Sequence, residues 1–345
     1  MRALVARLDN DGDVLLAGPA IRAIAARADH VTLLCGPRGA QAAALLPGVD
    51  DVIVRRAEWI DPEAPAVDRD SIDAYISDIA ACQADVAAIL TSFHQSPLPL
   101  ALLLKLAGVG RVAAISEDFP GSLLDHRLPD PGDVPEAERA LTVAAALDCP
   151  LPAGDDGRLR IRTEPPRVVL PDRYVVVHPG ASVPARAWPA SHHAALVRAL
   201  AAAGRDVAVT GAPSERALTA AVCAGTSDRH RGRVHDLGGA TTLAELAAVL
   251  AVADAVVVGN TGPAHLAAAV GTPVVSLFAP TVPAARWRPY KVAHRLLHVD
   301  VPCAGCRARS CPVEGHPCLT GVLPQDVAAA VAQLTAPRRE EAAIA

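Results

Sequence analysis

Aspartates occupy every second position from Asp9 to Asp13 in the stretch RLDNDGDVLL. A calcium-binding loop of this spacing needs glycine at its sixth position and glutamate at its twelfth, where this chain has Val14 and Ala20. The alternative is a turn that places Asp13 at the N-terminus of the next helix, where the helix dipole favours the negative charge of a general base. Asp13 is therefore a candidate catalytic base, and a simple helix cap is the competing interpretation.

A second group of polar residues interrupts the apolar stretch VVGNTGPAHLAAAVGTPVVSLFAPT, residues 257–281. The pattern predicts a strand at 255–258, a turn, a helix that carries His265, and a second strand at 274–278. Such a turn places free backbone N–H groups, Thr261 and His265 around one helix N-terminus, which suits an anion or a sugar hydroxyl. The competing interpretation is that Thr261 only caps the helix.

A third stretch, VHPGASVPARAWP, again joins a predicted strand to a helix through a loop. Arg186 offers a positively charged fork that suits a diphosphate, and Ser182 offers a hydroxyl donor. Arg186 could instead be a solvated surface charge, although we favour a functional role. Trp188 is expected to lie in the core.

Four cysteines, Cys303, Cys306, Cys311 and Cys318, crowd into sixteen residues close to His316. The group could hold a structural zinc ion, but its spacing is compressed and it lacks a second C-x2-C pair. We favour paired or free structural thiols. The other cysteines are expected to act as small buried hydrophobic residues: Cys35, Cys82, Cys149 and Cys223.

The composition describes a protein with large apolar cores and no nucleic-acid partner. The 345 residues are 51% hydrophobic, which suggests two domains, and the net charge of −5 leaves no basic surface for nucleic acid. Charged residues interrupt the longest apolar stretches, so none is expected to span a bilayer. Acids stand where a signal peptide needs its apolar region, which favours a cytoplasmic enzyme and leaves room for peripheral membrane contact.

The elements that must position these residues alternate between strands and helices. The alternation predicts parallel sheets with right-handed crossovers in both halves, hence two Rossmann-like α/β domains. The end of the acid-rich region 117–166 is interpreted as an interdomain linker, and residues 337–345 as a flexible tail. The predicted helices include 14–26, 72–82, 98–107, 135–147, 190–203, 215–223 and 242–253.

The motifs R-L-D-x-x-G-D-V-L-L, H-P-G-A-S…R-A-W-P and T-G-P-A-H-L-A-A-A-V-G-T-P-V-V-S-L-F together resemble glycosyltransferase family 9, the lipopolysaccharide heptosyltransferase family. The resemblance extends over nearly the whole chain. It implies a GT-B fold, in which two Rossmann-like domains with parallel sheets face a central cleft. Residues 1–165 would bind the acceptor, and residues 166–336 would bind the nucleotide sugar.

The resemblance also implies an activity. Family members transfer a heptose, with inversion, from an ADP-sugar to a sugar hydroxyl, so the expected donor is ADP-heptose and the expected acceptor a glycan or a small natural product. Asp13 matches the family's general base. The matching donor and diphosphate contacts are Ser182, Arg186, Thr261, Gly262 and His265.

Other residues match the family less closely. Glu215, Thr241 and Asn260 lie where the family contacts the nucleoside, and Ser92 and Gln95 lie where the acceptor is expected. Two departures put the identity of the donor in question: Arg186 stands where many members have lysine, and Asn260 where many have aspartate.

The resemblance implies no cofactor and no catalytic metal. Arg186, Ser182 and the helix that starts near Gly262 would take over the role of a divalent cation by stabilising the departing diphosphate.

Three other functions compete with glycosyl transfer. A nucleotide-sugar epimerase could use the same two-domain scaffold and would need no acceptor. A dinucleotide-dependent dehydrogenase is disfavoured because no G-x-G-x-x-G follows the first strand. A non-catalytic binding module would be favoured only if Asp13 were dispensable.

Overall fold

The computed structural model describes residues 1–61, 63–92 and 94–336, which form two compact units. The first unit comprises Met1–Glu164 and Ala285–Lys291, and the second comprises Pro165–Ala284 and the chain from Val292 onward. The segment 285–291 therefore belongs to the first unit, whereas the sequence placed it in the second domain. The tail predicted at 337–345 lies outside the described residues.

The first unit contains a six-stranded sheet in which every neighbouring pair is parallel. The strand order is β3-β2-β1-β4-β5-β6. Its strands are β1 Arg2–Arg7, β2 His30–Cys35, β3 Asp51–Val54, β4 Val86–Ile89, β5 Arg111–Ile115 and β6 His126–Leu128. Its helices are α1 Asp11–Leu16, α2 Gly18–Ala25, α3 Ala40–Ala43, α4 Arg69–Ala81, α5 Leu98–Leu106 and α6 Glu136–Ala146.

The second unit repeats this plan with the parallel strand order β12-β11-β10-β7-β8-β9. Its strands are β7 Tyr174–His178, β8 Asp206–Gly211, β9 Val234–Gly238, β10 Ala255–Gly259, β11 Val274–Leu277 and β12 His294–Leu297. Its helices are α7 Ala190–Ala202, α8 Arg216–Ala224, α9 Leu243–Ala251, α10 Gly262–Ala269, α12 Pro317–Thr320 and α13 Pro324–Thr335. The short helix α11, Ala284–Trp287, lies where the chain passes from the second unit to the first.

The strand order of each sheet reverses next to its first strand. In the first unit β1 lies between β2 and β4, with Val5 beside Ala88, and in the second β7 lies between β8 and β10, with Val177 beside Val257. Connections leave such a pair of strands toward opposite sides, which opens a crevice at their carboxyl ends. The loops after β1, β4, β7 and β10 are thus the places where ligands are expected.

Apolar side chains fill a separate core in each unit. Leu4, Tyr75 and Leu100 belong to the first core. Trp188 belongs to the second and is 3% exposed, with its indole N–H donating to the carbonyl of Val322 at 3.1 Å. The prediction that Trp188 is a core residue is confirmed.

The first helix differs from its prediction. A helix was expected over 14–26, whereas α1 begins at Asp11 and a break at Ala17 separates it from α2. Pro19 explains the break, because it has no N–H to donate to the carbonyl of Leu15 four residues earlier. No helix of residues 1–61, 63–92 or 94–336 is long and apolar enough to cross a membrane.

Candidate active site

Arg7, the last residue of β1, is the centre of a buried polar network in the first unit. Its side chain is 4% exposed and contacts two carboxylates at 3.0 Å each, Nε with Asp9 and Nη2 with Asp13. Nη2 also donates to the hydroxyl of Ser92 at 2.9 Å. One guanidinium therefore fixes side chains from the loops after β1 and β4. Arg7 opens the quoted RLD motif, but the sequence alone assigned it no role.

Burial and charge have opposing effects within this network. Burial disfavours the charged guanidinium, but Asp9, Asp13 and Glu136 together raise the pKa of Arg7 above its ordinary value. Burial raises the pKa of Asp9, and Arg7 opposes that rise. Arg7 therefore remains charged, and the carboxylates around it differ in their exposure to solvent.

Asp13 lies in the first turn of α1, and Asn10 occupies the N-cap position. Its side chain is 18% exposed, compared with 10% for Asp9. Asp11 faces elsewhere, because its Oδ1 accepts a hydrogen bond from the backbone N–H of Ala42 at 3.0 Å. Asp13 thus combines a fixed orientation with partial access to solvent, which a general base requires.

Ser92 and Gln95 belong to the same network. Gln95 donates from Nε2 to Oδ1 of Asp9 and accepts the backbone N–H of Ser92 at 3.0 Å. Both residues line a cavity of about 230 Å³, whose other lining residues include Ser116, Glu117, Asp118 and Arg139. The structure therefore brings the predicted acceptor residues and Asp13 into one cluster within the first unit.

A second buried ion cluster supports Arg7 from α6. The carboxylate of Glu136 is 1% exposed and lies 3.6 Å from Arg7 Nη1, 3.3 Å from Arg139 Nε and 3.7 Å from Arg286 Nη1. Burial raises the pKa of Glu136, while Arg7 and Arg139 oppose the rise. Sequence reasoning missed this cluster. Only the three-residue spacing of Glu136 and Arg139 within a helix could have indicated part of it.

In the second unit the structure places Arg186 beside the loop after β10. Arg186 ends a short 3₁₀ helix at 184–186, and its Nη1 donates to the carbonyl of Asn260 at 3.4 Å. The carbonyl oxygen of Arg186 also lies close to Gly259. A Cβ added at Gly259 would be only 3.2 Å from that oxygen. The loop that carries Arg186 and the loop before α10 thus lie together. Arg186 is half-buried and is therefore not an isolated surface charge.

Thr261 occupies the N-cap position of α10 but makes no capping hydrogen bond with its side chain. Its Oγ1 is buried and has no hydrogen-bond partner within the described parts of the chain. Gly262 begins the eight-residue helix, and His265 is buried in its first half. The Thr261 hydroxyl and the N–H of Gly262 thus lie together at the helix N-terminus, where an anion can bind, while Pro263 has no N–H and that of Ala264 donates to the Thr261 carbonyl.

Asn260 faces inward. It is 5% exposed, and its Nδ2 donates to the carbonyl of Ala279 after β11 at 3.3 Å. This contact joins two neighbouring strand ends. Its Oδ1 is buried with no hydrogen-bond partner among the described residues, and the nucleoside contact expected of Asn260 stays a prediction.

Glu215 lies at the carboxyl ends of β7 and β8. Its Oε2 accepts the backbone N–H of Ala212 at 2.7 Å and lies 3.9 Å from Nε2 of His178. A Cβ at Gly180 would overlap the Glu215 carboxylate, so a larger residue there would displace this side chain. Burial lowers the pKa of His178 despite this carboxylate.

Of the remaining candidates, Ser182 is exposed in the loop after β7 and Thr241 is half-buried before α9.

The cysteine-rich loop, residues 303–318, packs against the segment that carries Arg186. Ala185 donates its N–H to the carbonyl of Arg309 at 2.9 Å and accepts from Nε2 of His316 at 3.1 Å. Burial, followed by the nearby Cys311, raises the pKa of the Cys318 thiol. No group of three or more His, Cys, Asp or Glu side chains in the described chain is placed to hold a metal ion.

Comparison with known proteins identifies one family. The family model for glycosyltransferase family 9 (heptosyltransferase) matches residues 124–316. The lipooligosaccharide heptosyltransferase 2 of Haemophilus influenzae is 30% identical over 158 residues, which are 45% of this chain and 43% of that protein. The match covers 47% of the length of a second curated relative. This chain therefore matches less than half of the length of either relative.

Solved structures are similar over the whole chain. A glycosyltransferase family 9 protein from Veillonella parvula has a TM-score of 0.76 at 16% identity, covering 97% of each chain. The Escherichia coli heptosyltransferase WaaC, solved with ADP-2-deoxy-2-fluoro heptose, has a TM-score of 0.72 at 20% identity, covering 96% of this chain and 99% of that one. These similarities concern the fold, and they confirm the predicted GT-B class with two Rossmann-like units.

Proposed function

Because the chain belongs to glycosyltransferase family 9, the heptosyltransferase family, we propose that it transfers a heptose from ADP-heptose to a hydroxyl group of a glycan or small-molecule acceptor. The observation that carries the proposal is the convergence of Arg186 with the loop before α10, where the Thr261 hydroxyl lies without a partner in the described chain. That group matches the diphosphate of a nucleotide sugar in charge and in hydrogen-bonding capacity.

The donor would be held by its diphosphate. Arg186 supplies positive charge, while the Thr261 hydroxyl and the N–H of Gly262 at the start of α10 supply hydrogen bonds. Ser182 in the exposed loop is the additional hydroxyl donor. Negative charge grows on the diphosphate as it leaves, so these groups stabilise the transition state more strongly than the bound donor.

Asp13 would act as the general base. The acceptor oxygen forms a bond to the anomeric carbon while the bond from that carbon to the diphosphate oxygen breaks. The acceptor proton passes to the Asp13 carboxylate, and ADP leaves. Attack from the face opposite the leaving group inverts the anomeric configuration. Arg7 contributes by holding Asp13 in position through the 3.0 Å contact.

The acceptor would bind in the cavity lined by Ser92 and Gln95, which belong to the network that orients Asp13. The proposal therefore assigns acceptor binding to the first unit and donor binding to the second.

The central experiment incubates the full chain with ADP-heptose and measures ADP release and product formation, with and without a panel of hydroxylated acceptors. We expect ADP to accumulate with an acceptor, and NMR of the product to show an inverted anomeric centre. Calorimetric titration with ADP tests donor binding separately. Failure to bind ADP and ADP-heptose would contradict the proposal, and conversion of the nucleotide sugar without acceptor would favour the epimerase.

We further propose that transfer needs no divalent metal. Arg186 and the α10 N-terminus provide the charge that a cation would supply, and Asp9 and Asp11 face different partners, Arg7 and Ala42. Brief EDTA treatment should leave activity within about twofold of the untreated enzyme. Loss within minutes, restored by Mg²⁺ or Mn²⁺ at an unchanged melting temperature, would contradict a metal-free step.

A further inference from the structure

A buried hydroxyl that the proposed mechanism does not use lies just after β11. Thr281 is 4% exposed, and its Oγ1 is buried with no hydrogen-bond partner among the residues that the structure describes. A buried hydroxyl that forms no hydrogen bond destabilises the folded chain, so its presence calls for an explanation such as a bound ligand. Thr281 follows the carboxyl end of β11, and this edge of a parallel sheet is the one where ligands bind.

Two further unpartnered oxygens adjoin Thr281. Its N–H and Nδ2 of Asn260 donate to the same oxygen, the carbonyl of Ala279, at 2.7 and 3.3 Å. Oδ1 of Asn260 and Oγ1 of the next residue, Thr261, are also buried without a hydrogen-bond partner in the described chain. All of these atoms belong to the loops at the ends of β10 and β11. Unpartnered oxygens on adjoining residues indicate a surface that a polar ligand completes.

The main chain around Thr281 is held by the cysteine-rich loop. The N–H of Arg307 donates to the Thr281 carbonyl at 2.9 Å, and the N–H of Gly305 donates to the Pro280 carbonyl at 2.7 Å. Threonine also has a restricted χ1 angle, which limits the positions that its hydroxyl can take. The hydroxyl therefore lies on a fixed framework, and little order has to be gained when a ligand binds.

The strand order indicates which part of the donor reaches Thr281. The proposed diphosphate contacts, Arg186 and Thr261, follow the neighbouring strands β7 and β10. Glu215, a predicted nucleoside contact, follows β8 on one side of this pair, whereas β11 and Thr281 lie on the other side. In a nucleotide sugar the nucleoside and the sugar are attached to opposite ends of the diphosphate. Thr281 therefore lies at the end where the sugar is expected.

We propose that Thr281 is a specificity residue whose hydroxyl binds a hydroxyl group of the transferred sugar. The inference rests on the proposed function for the donor, and it adds a contact that distinguishes the complete donor from the nucleotide alone. A sugar hydroxyl both donates and accepts hydrogen bonds, as the Thr281 hydroxyl does. Oδ1 of the adjoining Asn260 only accepts, so the group that enters here must carry a proton, which an ionised diphosphate lacks.

The test measures the affinities of ADP and ADP-heptose by calorimetric titration of the full chain without an acceptor. Thr281→Val replaces the hydroxyl by a methyl group of similar size. We expect this variant to bind ADP-heptose about three- to tenfold more weakly, the range for one neutral hydrogen bond, and to bind ADP with unchanged affinity. Thr281→Ser keeps the hydroxyl and should retain the wild-type ratio of the two affinities.

A matched control is available in the same unit. Thr226 is 5% exposed, and its Oγ1 also lacks a partner within the described parts of the chain. It lies two residues beyond α8, which leads from the end of β8 back toward the start of β9, and hence toward the opposite edge of the sheet. Thr226→Val should therefore leave both affinities unchanged. The melting temperature of Thr281→Val should stay the same or rise, because the hydroxyl that is removed has no partner in the folded chain.

Two results would overturn the inference. The first is an unchanged ratio of the two affinities in Thr281→Val, and if the melting temperature also falls, the hydroxyl serves the fold alone. The second is an equal loss of affinity for ADP and ADP-heptose, which would place the nucleotide at Thr281 instead of the sugar. In both cases binding of ADP and ADP-heptose by the wild type leaves the proposed function intact, whereas a wild type that binds neither contradicts the proposed function itself.

Discussion

Asp9, Asp11 and Asp13 illustrate how much the immediate environment decides the role of a carboxylate. Asp9 is engaged by Arg7 and Gln95, and Asp11 accepts a backbone N–H from α3. Asp13 shares Arg7 with Asp9 but is more exposed. Identical side chains two residues apart are thus divided between two with structural contacts and a more exposed one, Asp13, which is the proposed base.

Asp13→Asn should lower kcat by at least about a hundredfold, because the amide cannot accept the acceptor's proton. ADP affinity and melting temperature should stay near those of the wild type, since the amide oxygen can still accept the hydrogen bond from Arg7. Steady-state kinetics at saturating substrates measure the effect. Asp11→Asn, which retains an acceptor for Ala42, is the control. A variant of Asp13 that keeps more than about a third of kcat would remove this residue from the base role.

Arg186→Ala should weaken ADP binding by about ten- to a hundredfold, the range for losing a charged hydrogen bond, and should lower turnover as well. Arg186→Lys should recover most of the lost affinity because lysine keeps the positive charge, although its ammonium group cannot form the paired hydrogen bonds of a guanidinium. Calorimetric titration with ADP is the measurement. Arg173→Ala provides a control in the same unit, since Arg173 is 73% exposed and pairs with Asp254. Unchanged ADP affinity in Arg186→Ala would place this residue outside the donor site.

At the scale of elements, the sequence predicted the strands and helices whose apolar pattern is continuous. β10 and β11 are buried along their whole length and were predicted within one residue of their observed limits. β6 and β12 were missed because the edge strands HRL and HRLL carry polar residues and are only partly buried. Three or four such residues give no periodicity to detect.

The candidate site shows the same limit. Residues within one motif, such as Thr261 and Gly262, could be found from spacing and turn chemistry. The contact of Arg186 with Asn260 joins residues 74 positions apart, and the cluster of Arg7, Glu136 and Arg286 joins three distant segments. Such contacts depend on the strand order, which no local pattern contains.

The end of the acid-rich region, interpreted as a linker, is attached to the first unit. Arg22 on α2 forms a two-pronged contact with Asp155 at 2.7 and 2.9 Å, and Arg162 donates its N–H to the carbonyl of Leu45 at 2.8 Å. The residues before the unit boundary are thus held by specific ion pairs, although they form neither helix nor strand.

This attachment should depend on pH. The Arg22 contact lowers the pKa of Asp155 to about 2 from its ordinary value of 3.8. Because the folded pKa lies below the unfolded one, the stabilisation is complete above about pH 4 and is lost as the pH falls toward 2. Asp155→Asn should cost about 1 kcal/mol at neutral pH, since solvent screens part of the interaction, and the cost should vanish near pH 2. Chemical denaturation at several pH values measures it. If the destabilisation caused by Asp155→Asn does not change with pH, the ion pair between Arg22 and Asp155 is not its source.

At the scale of the whole molecule, the two units share one architecture but do not divide the chain into two continuous halves. The segment 285–291 returns to the first unit, where the side chain of Arg286 is 5% exposed and contacts Asp130, Asp133 and Glu136. The stability of the first unit therefore depends on a residue that follows most of the second unit in sequence.

Arg286→Ala should destabilise the first unit by about 3 kcal/mol, because it removes one cation from a buried acid cluster. For a unit of this size the melting temperature should fall by about 6–12 °C. Differential scanning calorimetry of the full chain is the measurement. Arg111→Ala is the control, since its pair with Asp148 is exposed and should be worth less than about 0.5 kcal/mol. An equal effect of the two substitutions would show that the cluster contributes little.

The position of Arg286 also has a consequence for biosynthesis. A ribosome makes Glu136 about 150 residues before Arg286, which at roughly 5–20 residues per second corresponds to about 8–30 seconds. Throughout that interval the first unit has Arg7 and Arg139 beside Glu136 but lacks the third cation. Its folding on the nascent chain can be completed only when most of the second unit has emerged. The ordering of the first unit is thereby tied to the synthesis of the second.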